Sequence, residues 1–166
     1  NDLTAKVARC QNSGAITADR NGGGIAGAIA FESDLDPEAD VDIFGQMSLN
    51  FTGSYRAVIT DCVNDASVSV KKQHAGGIVG YACFSNKENK PIIEGAKISN
   101  CSVKSTTIQA YRDFGGVIGY AERIVMSNTT VQEITLTQDL DHDYKNPTPT
   151  TFGELIGKSV GKNIVD

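Results

Sequence analysis

The stretch Gly76-Gly77-Ile78-Val79-Gly80-Tyr81 recurs as Gly23-Gly24-Ile25-Ala26-Gly27, as Gly115-Gly116-Val117-Ile118-Gly119-Tyr120, and in looser form as Gly153-Glu154-Leu155-Ile156-Gly157. Recurrence constrains a fold more than any single motif does, because each copy must make the same local structure and bury its apolar face against the next. A second landmark keeps step with the first. Cys62, in Ile59-Thr60-Asp61-Cys62, and Cys101, in Ile98-Ser99-Asn100-Cys101, each lie fourteen residues before a glycine box, and Cys10, in Val7-Ala8-Arg9-Cys10, lies thirteen before its own. In a fourth copy, Met126-Ser127-Asn128-Thr129, a threonine takes the cysteine position, and the box arrives late because Asp139 to Thr151 intervenes.

Between the landmarks lie Ile16-Thr17-Ala18, Val68-Ser69-Val70, Ile108-Gln109-Ala110 and Ile134-Thr135-Leu136. Each unit therefore holds three short segments rich in Ile, Val and Thr, separated by Gly, Asn, Asp and Ser, which is the pattern of strands and turns rather than of helices. Cys101 and Thr129 are 28 residues apart, close to one coil of a three-sided solenoid, and the spacings of 39 and 52 between the earlier cysteines carry insertions. The expected fold is all-β, a parallel β-solenoid (β-helix) of about four irregular coils with loop or hairpin insertions. Residues 1–166 form one domain on this reading, and the lack of recognisable capping segments suggests a fragment of a larger surface protein. Cys10, Cys62 and Cys101 are expected to form one inward ladder, and Ile25, Ile78, Val117 and Leu155 another. The paired glycines are expected to serve a corner through positive φ and through close backbone approach.

Gly-Gly-Ile-Val-Gly-Tyr followed by Ile-Ser-Asn-Cys-Ser-Val and a further box resembles the GLUG repeats of bacterial secreted and cell-surface proteins, including the N-terminal regions of some immunoglobulin-cleaving peptidases. The resemblance covers nearly all of the chain outside its insertions. It implies a β-solenoid exposed outside the cell, one module of a longer protein, and it implies no catalytic residues. The fourth box departs from the pattern, with Glu154 for the second glycine and Lys158 for the tyrosine.

Charge and hydropathy narrow the function classes. With 15 Lys+Arg against 20 Asp+Glu there is no cationic excess to neutralise phosphates, so nucleic acid is not an expected partner. No apolar run approaches the ~20 residues that cross a bilayer, so this segment is not expected to insert in a membrane. The glycine boxes lack the Lys-Ser/Thr of a P-loop. The four cysteines include no Cys-x-x-Cys pair and read as core residues.

Candidate chemistry sits in the insertions and the aromatic positions. The insertion Glu32 to Tyr55 begins with the acidic run Asp34 to Asp42 and continues with the alternating Met47-Ser48-Leu49-Asn50-Phe51, so it is expected to form a hairpin extension turning near Gly45-Gln46; the acidic run and Asp139-Leu140-Asp141-His142-Asp143 are the two places where carboxylates could hold calcium, although neither has EF-hand spacing. His74 and His142 read as surface histidines, and no row of acids and bases recurs from unit to unit as a catalytic solenoid would require. Tyr81 and Tyr120, and Phe114 and Phe152, are equivalent pairs expected to stack as packing rather than as a sugar platform. Asn50, Asn100 and Asn128 open glycosylation acceptor triplets, the last two in expected strands. No cofactor and no metal is assigned. The expectation is a non-catalytic extracellular or cell-surface module for adhesion or for binding a glycan or host protein, with a stalk or spacer as the alternative and a carbohydrate-active enzyme third.

Overall fold

The structure of the protein, a computed structural model, describes residues 3–30, 55–83, 96–141, 150–161 and 163–166. These residues form strands and turns without a helix, and every strand pairs in parallel with its counterpart in a neighbouring unit. The first sheet stacks β1 (Leu3–Ala8), β6 (Tyr55–Thr60), β10 (Ala96–Ser99), β14 (Ile124–Ser127) and β19 (Ile164–Val165) in that order. The second holds β2 (Gln11–Asn12), β7 (Val63–Asn64), β11 (Ser102–Lys104) and β15 (Thr130–Gln132). The third holds β3 (Ile16–Ala18), β8 (Val68–Gly76), β12 (Thr107–Gly115) and β16 (Thr135–Gln138), with β4 (Gly22–Gly23) on β8 and β17 (Phe152–Gly153) on β12. The fourth holds β5 (Ala26–Ala30), β9 (Val79–Cys83), β13 (Ile118–Glu122) and β18 (Ile156–Val160).

The register follows the repeat. Val7, Ile59, Ile98, Met126 and Val165 lie in one column, and Gly23, Gly76, Gly115 and Gly153 in another. Four sheets appear where three segments per unit were expected. The extra one follows the cysteine and is only two or three residues long, too short to carry a periodic signal.

Apolar columns run along the stack. Ile78 and Val117 are fully buried, with Ile25 and Leu155 packed against them at the outer rungs. Ile59, Ile98, Ile118 and Ile124 share that core, and Val68, Val70, Ile108 and Phe114 build a second cluster beside it. Each such side chain contributes about 1.5–3 kcal/mol of burial, available only because the rungs above and below cover it.

The cysteine column explains its threonine. Sγ of Cys62 and of Cys101 each donates to the carbonyl two residues back, Thr60 and Ser99, at 3.2 Å, and Thr129 Oγ1 makes the same bond to Ser127 at 3.1 Å. Burial pushes the Cys101 thiol up to about 11, as expected of a small core residue with a weak donor. Cys10 departs from the expected inward ladder: it points the same way, toward Ala8 O at 3.5 Å, but is exposed because no described rung lies on its outer side.

The expected glycine role is half right. Positive φ falls on Arg9, Asp61, Asn100 and Asn128 at the corner before the cysteine column, and on Asn21, His74 and Asp113 before the box, while the described box glycines avoid it. Asn100 and Asn128 thus sit at exposed corners rather than in strands; Asn100 Nδ2 donates to Asp61 Oδ1 (3.1 Å) and Asn128 Nδ2 to Asn100 Oδ1 (2.8 Å). What the box glycines supply is room. A β-carbon at Gly77 would lie 2.2 Å from Gly116 O, and one at Gly76 2.0 Å from Val79 O.

Gly77→Ala should therefore lower stability in urea unfolding by about 1–3 kcal/mol or more, as overpacked cores do. Gly14→Ala, whose β-carbon would meet nothing nearer than Asn12 Oδ1 at 3.7 Å, should change it by under ~0.5 kcal/mol.

Candidate functional site

The corner between the second and third sheets carries an open concavity of about 460 Å³, lined by Asp65, Ser67, Ser105, Thr106, Thr107, Glu133 and Thr135. Three successive units contribute to it. Register makes the lining polar: Thr107 and Thr135 are paired in β12 and β16, and in each strand the next residue, Ile108 or Leu136, turns toward the core. Ser105 Oγ donates to Glu133 Oε2 at 2.8 Å, and Asp65 accepts from Gln11 Nε2 at 3.2 Å. The surface thus offers hydroxyls and two carboxylates to a hydroxyl-rich ligand. Asp65 and Glu133 stand two rungs apart, about 10 Å of stack height, wider than the ~5 Å of a retaining glycosidase pair. Thr106 Oγ1 is buried beneath this floor and has no hydrogen-bond partner among the described residues, in the column occupied by Ile134.

A second polar column lies between the third and fourth sheets. The residue two before each box glycine is Asn21, His74, Asp113 or Thr151, and the stack brings all four together. His74 Nδ1 lies 2.7 Å from Asn21 Oδ1, His74 Nε2 lies 3.5 Å from Asp113 Oδ2, and Thr151 Oγ1 donates to Asp113 Oδ1 at 2.6 Å. His74 is buried, contrary to the expected surface position, because its turn is roofed by the tyrosine column. Its ring centroid is 5.0 Å from that of Tyr81 and 5.3 Å from that of Tyr120, which stack on each other at 4.9 Å.

Burial lowers the His74 pKa against the opposing pull of Asp113, with Arg112 and Lys158 lowering it further. For Asp113, burial alone would raise the pKa, but bonds from His74 and Thr151 outweigh it and the net shift is downward. A neutral His74 satisfies both neighbours only with Nε2–H toward Asp113 and the Asn21 amide NH2 toward Nδ1; the imidazolium instead takes the Asn21 oxygen. A His–Asp pair is the pairing general-base catalysis uses, yet both ring nitrogens here face protein partners.

The aromatics pack largely as expected. Lys158 Nζ sits 5.8 Å from the Tyr120 centroid, covering the face that a sugar would need, and Tyr120 Oη donates to Glu122 Oε2 at 3.1 Å. Burial and then Glu122 push the Tyr120 hydroxyl pKa upward. Phe114 and Phe152 stack at 5.6 Å, but Phe152 stays exposed because no described rung covers it.

Two insertions leave from one corner. Those between β5 and β6 and between β9 and β10 depart from adjacent rungs, since Ala30 pairs with Cys83, and in the next unit Arg123 alone makes the same connection. The third departs from the third sheet, between β16 and β17. The hairpin expected over 32–55, except Tyr55, which opens β6, lies outside the described residues, as do the acidic run 34–42, Asn50 and His142. Asp139 is buried and its Oδ1 accepts the Asp141 N–H at 3.0 Å, and among the described residues no group of three or more His, Cys, Asp or Glu is gathered to hold a metal. No described helix is long and apolar enough to cross a membrane.

No protein family, curated protein or solved structure matches the chain. Sequence reasoning passed over Asn21, Asp113, Thr151 and the hydroxyl groove. The signal for the first three was present, a polar residue two places before every box, but its chemistry changes from unit to unit and so escapes a search for repeated identity.

Acid should weaken the fold in two windows. The depressed His74 pKa makes stability fall as pH drops below about 6.5, where the unfolded chain takes up a proton first; the depressed Asp113 pKa makes it fall again below about 3.8. Urea midpoints measured against pH should show both windows in the wild type. Asp113→Asn should shrink the lower one, to which Asp19, held down by its bond from Lys72, still contributes, and deepen the upper, since it removes the group that favours protonated His74. Thr106→Val should leave stability unchanged or raise it by up to ~1 kcal/mol, because it removes an unpaired buried hydroxyl.

Proposed function

We propose that the protein is a non-catalytic β-solenoid module of about four coils that works outside the cell or at its surface by binding a glycan. The observation that carries this reading is the concavity of about 460 Å³, in which three units aim hydroxyls and carboxylates at solvent. A sugar presents donors and acceptors around its ring, and a wall of Ser, Thr, Asp and Glu satisfies both. The parallel register across four sheets supports the solenoid reading, and the repeat's likeness to GLUG sequences supports the extracellular setting. Two long insertions that leave adjacent rungs at one corner make a host protein the second candidate ligand. A stalk or spacer is the alternative, favoured by the in-register continuation of the first sheet through β19.

A glycan array followed by calorimetry tests the groove. Thr107→Tyr and Thr135→Tyr, both at exposed strand positions, should fill it and weaken binding by at least tenfold, with the circular dichroism unchanged. A blank array, or a glycan held equally well by both variants, would remove the groove from the function. Loss of binding only on replacing 31–56 by a one-residue link like Arg123, which joins the counterparts of Ala30 and Ala57, would transfer the role to the insertions.

A further inference from the structure

The groove between the second and third sheets has a charge that a wall of hydroxyls does not require. Among the described residues that line it, Asp65 and Glu133 are acidic and the others are Ser and Thr. Both carboxylates are exposed, and each accepts a hydrogen bond from a neutral side chain: Asp65 Oδ2 from Gln11 Nε2 at 3.2 Å, Glu133 Oε2 from Ser105 Oγ at 2.8 Å. Neither has an ion-pair partner among the described residues. An ionised carboxylate has about four lone-pair sites, so most of the accepting capacity of both is left to solvent or to a ligand.

The cation that register places beside them is Lys104. Val103 pairs with Asn64 and Lys104 with Gln132, which sets Lys104 on the rung next to Asp65, exposed and outside the lining of the groove. The floor is polar as well. Thr106, 8% exposed, lines the same concavity with its Oγ1 unpartnered among the described residues, so a ligand seated there meets an unsatisfied hydroxyl besides the two carboxylates.

We propose, resting on the glycan reading of this groove, that its ligand is an amino-sugar oligomer with protonated, unacetylated amines rather than a neutral or acidic glycan. The ring hydroxyls meet Ser67, Thr107 and Thr135, and the ammonium groups take Asp65 and Glu133. The spacing fits. Asp65 and Glu133 are two rungs apart, about 10 Å along the stack. In a β1,4-linked chain each ring is flipped over its neighbour, so the amines of alternate rings face the same way, roughly two rung heights apart. An oligomer lying along the stack therefore presents one amine to each carboxylate. A uronate in its place brings like charge to both.

Calorimetry on the full chain at about pH 6, where a sugar amine keeps its proton, compares β1,4-linked trimers of glucosamine, N-acetylglucosamine, glucose and glucuronate. These share a skeleton and differ in charge. An exposed ion pair is worth up to about fivefold in affinity, so the glucosamine trimer should bind about tenfold tighter than the two neutral trimers, with glucuronate weakest. Raising the salt from about 0.05 to 0.5 M should remove most of that margin. Asp65→Asn and Glu133→Gln, both close in shape and at exposed positions, should each weaken glucosamine binding about threefold and leave the glucose trimer within about twofold, while Lys104→Ala should tighten glucosamine binding about twofold. The comparison among trimers uses the wild type alone and stands even where a variant loses its circular dichroism. A neutral or acidic glycan held at least as tightly as the glucosamine trimer, on the array or in this series, would overturn the inference and leave the glycan reading in place. Pentalysine held as tightly, or a margin that both carboxylate variants leave intact, would overturn it too. No binding of any trimer together with a blank array removes the glycan reading itself, and this inference with it.

Discussion

Everything in this molecule depends on how closely the backbone of one unit approaches the next at the glycine box. There a single carbonyl serves two donors: Ile78 O accepts from Ile25 N and Ala26 N at 3.0 Å, Val117 O from Ile78 N and Val79 N at 2.9 and 3.0 Å, and Leu155 O from Val117 N and Ile118 N at 2.9 and 3.0 Å. The chain reverses direction while keeping its amides bonded, which a buried turn must do. Only an absent side chain permits the approach, since a β-carbon at Gly116 would stand 2.1 Å from Glu154 O. From that corner the third and fourth sheets take their spacing, and from their spacing come the two apolar columns.

The same stacking that makes apolar ladders also makes polar ones, and those are where the molecule carries risk. An apolar column tolerates Val for Ile or Leu, but Asn21, His74, Asp113 and Thr151 must match as donors and acceptors from rung to rung. Asn64 shows the same demand: fully buried, it accepts from Asn12 Nδ2 at 2.8 Å and donates to Ala66 O at 2.9 Å, and one rung further the column reverts to Val103. Buried polar columns of this kind fix the register, because a slip of one residue would leave each partner unpaired. Their cost is acid sensitivity, since His74 and Asp113 are held in the charge states of neutral pH.

Function in a repeat scaffold comes from what the columns present outward. The hydroxyl groove arises because Ser and Thr at alternating positions of successive strands face solvent while Val, Ile and Leu face the core.

The amino-acid sequence by itself determined which residues stack on which. The constant distance of three residues to the cysteine position puts Val7, Ile59, Ile98 and Met126 into a column, and the near-constant spacing from cysteine to box in the first three units does the same for Gly23, Gly76 and Gly115, because parallel strands pair at constant register and any other alignment would turn core residues outward. It foretold strands, parallel pairing and the inward Ile78 and Val117. Only the tertiary structure decided what the columns contain where residue type varies. That His74 is buried follows from the Tyr81 and Tyr120 roof, that Cys10 is exposed follows from its place on the outermost rung, and that hydroxyls from three units form one groove follows from the bend between the second and third sheets. Periodicity records which face a residue shares with its neighbours along the chain, and carries no information about what another rung, tens of residues away, lays over it.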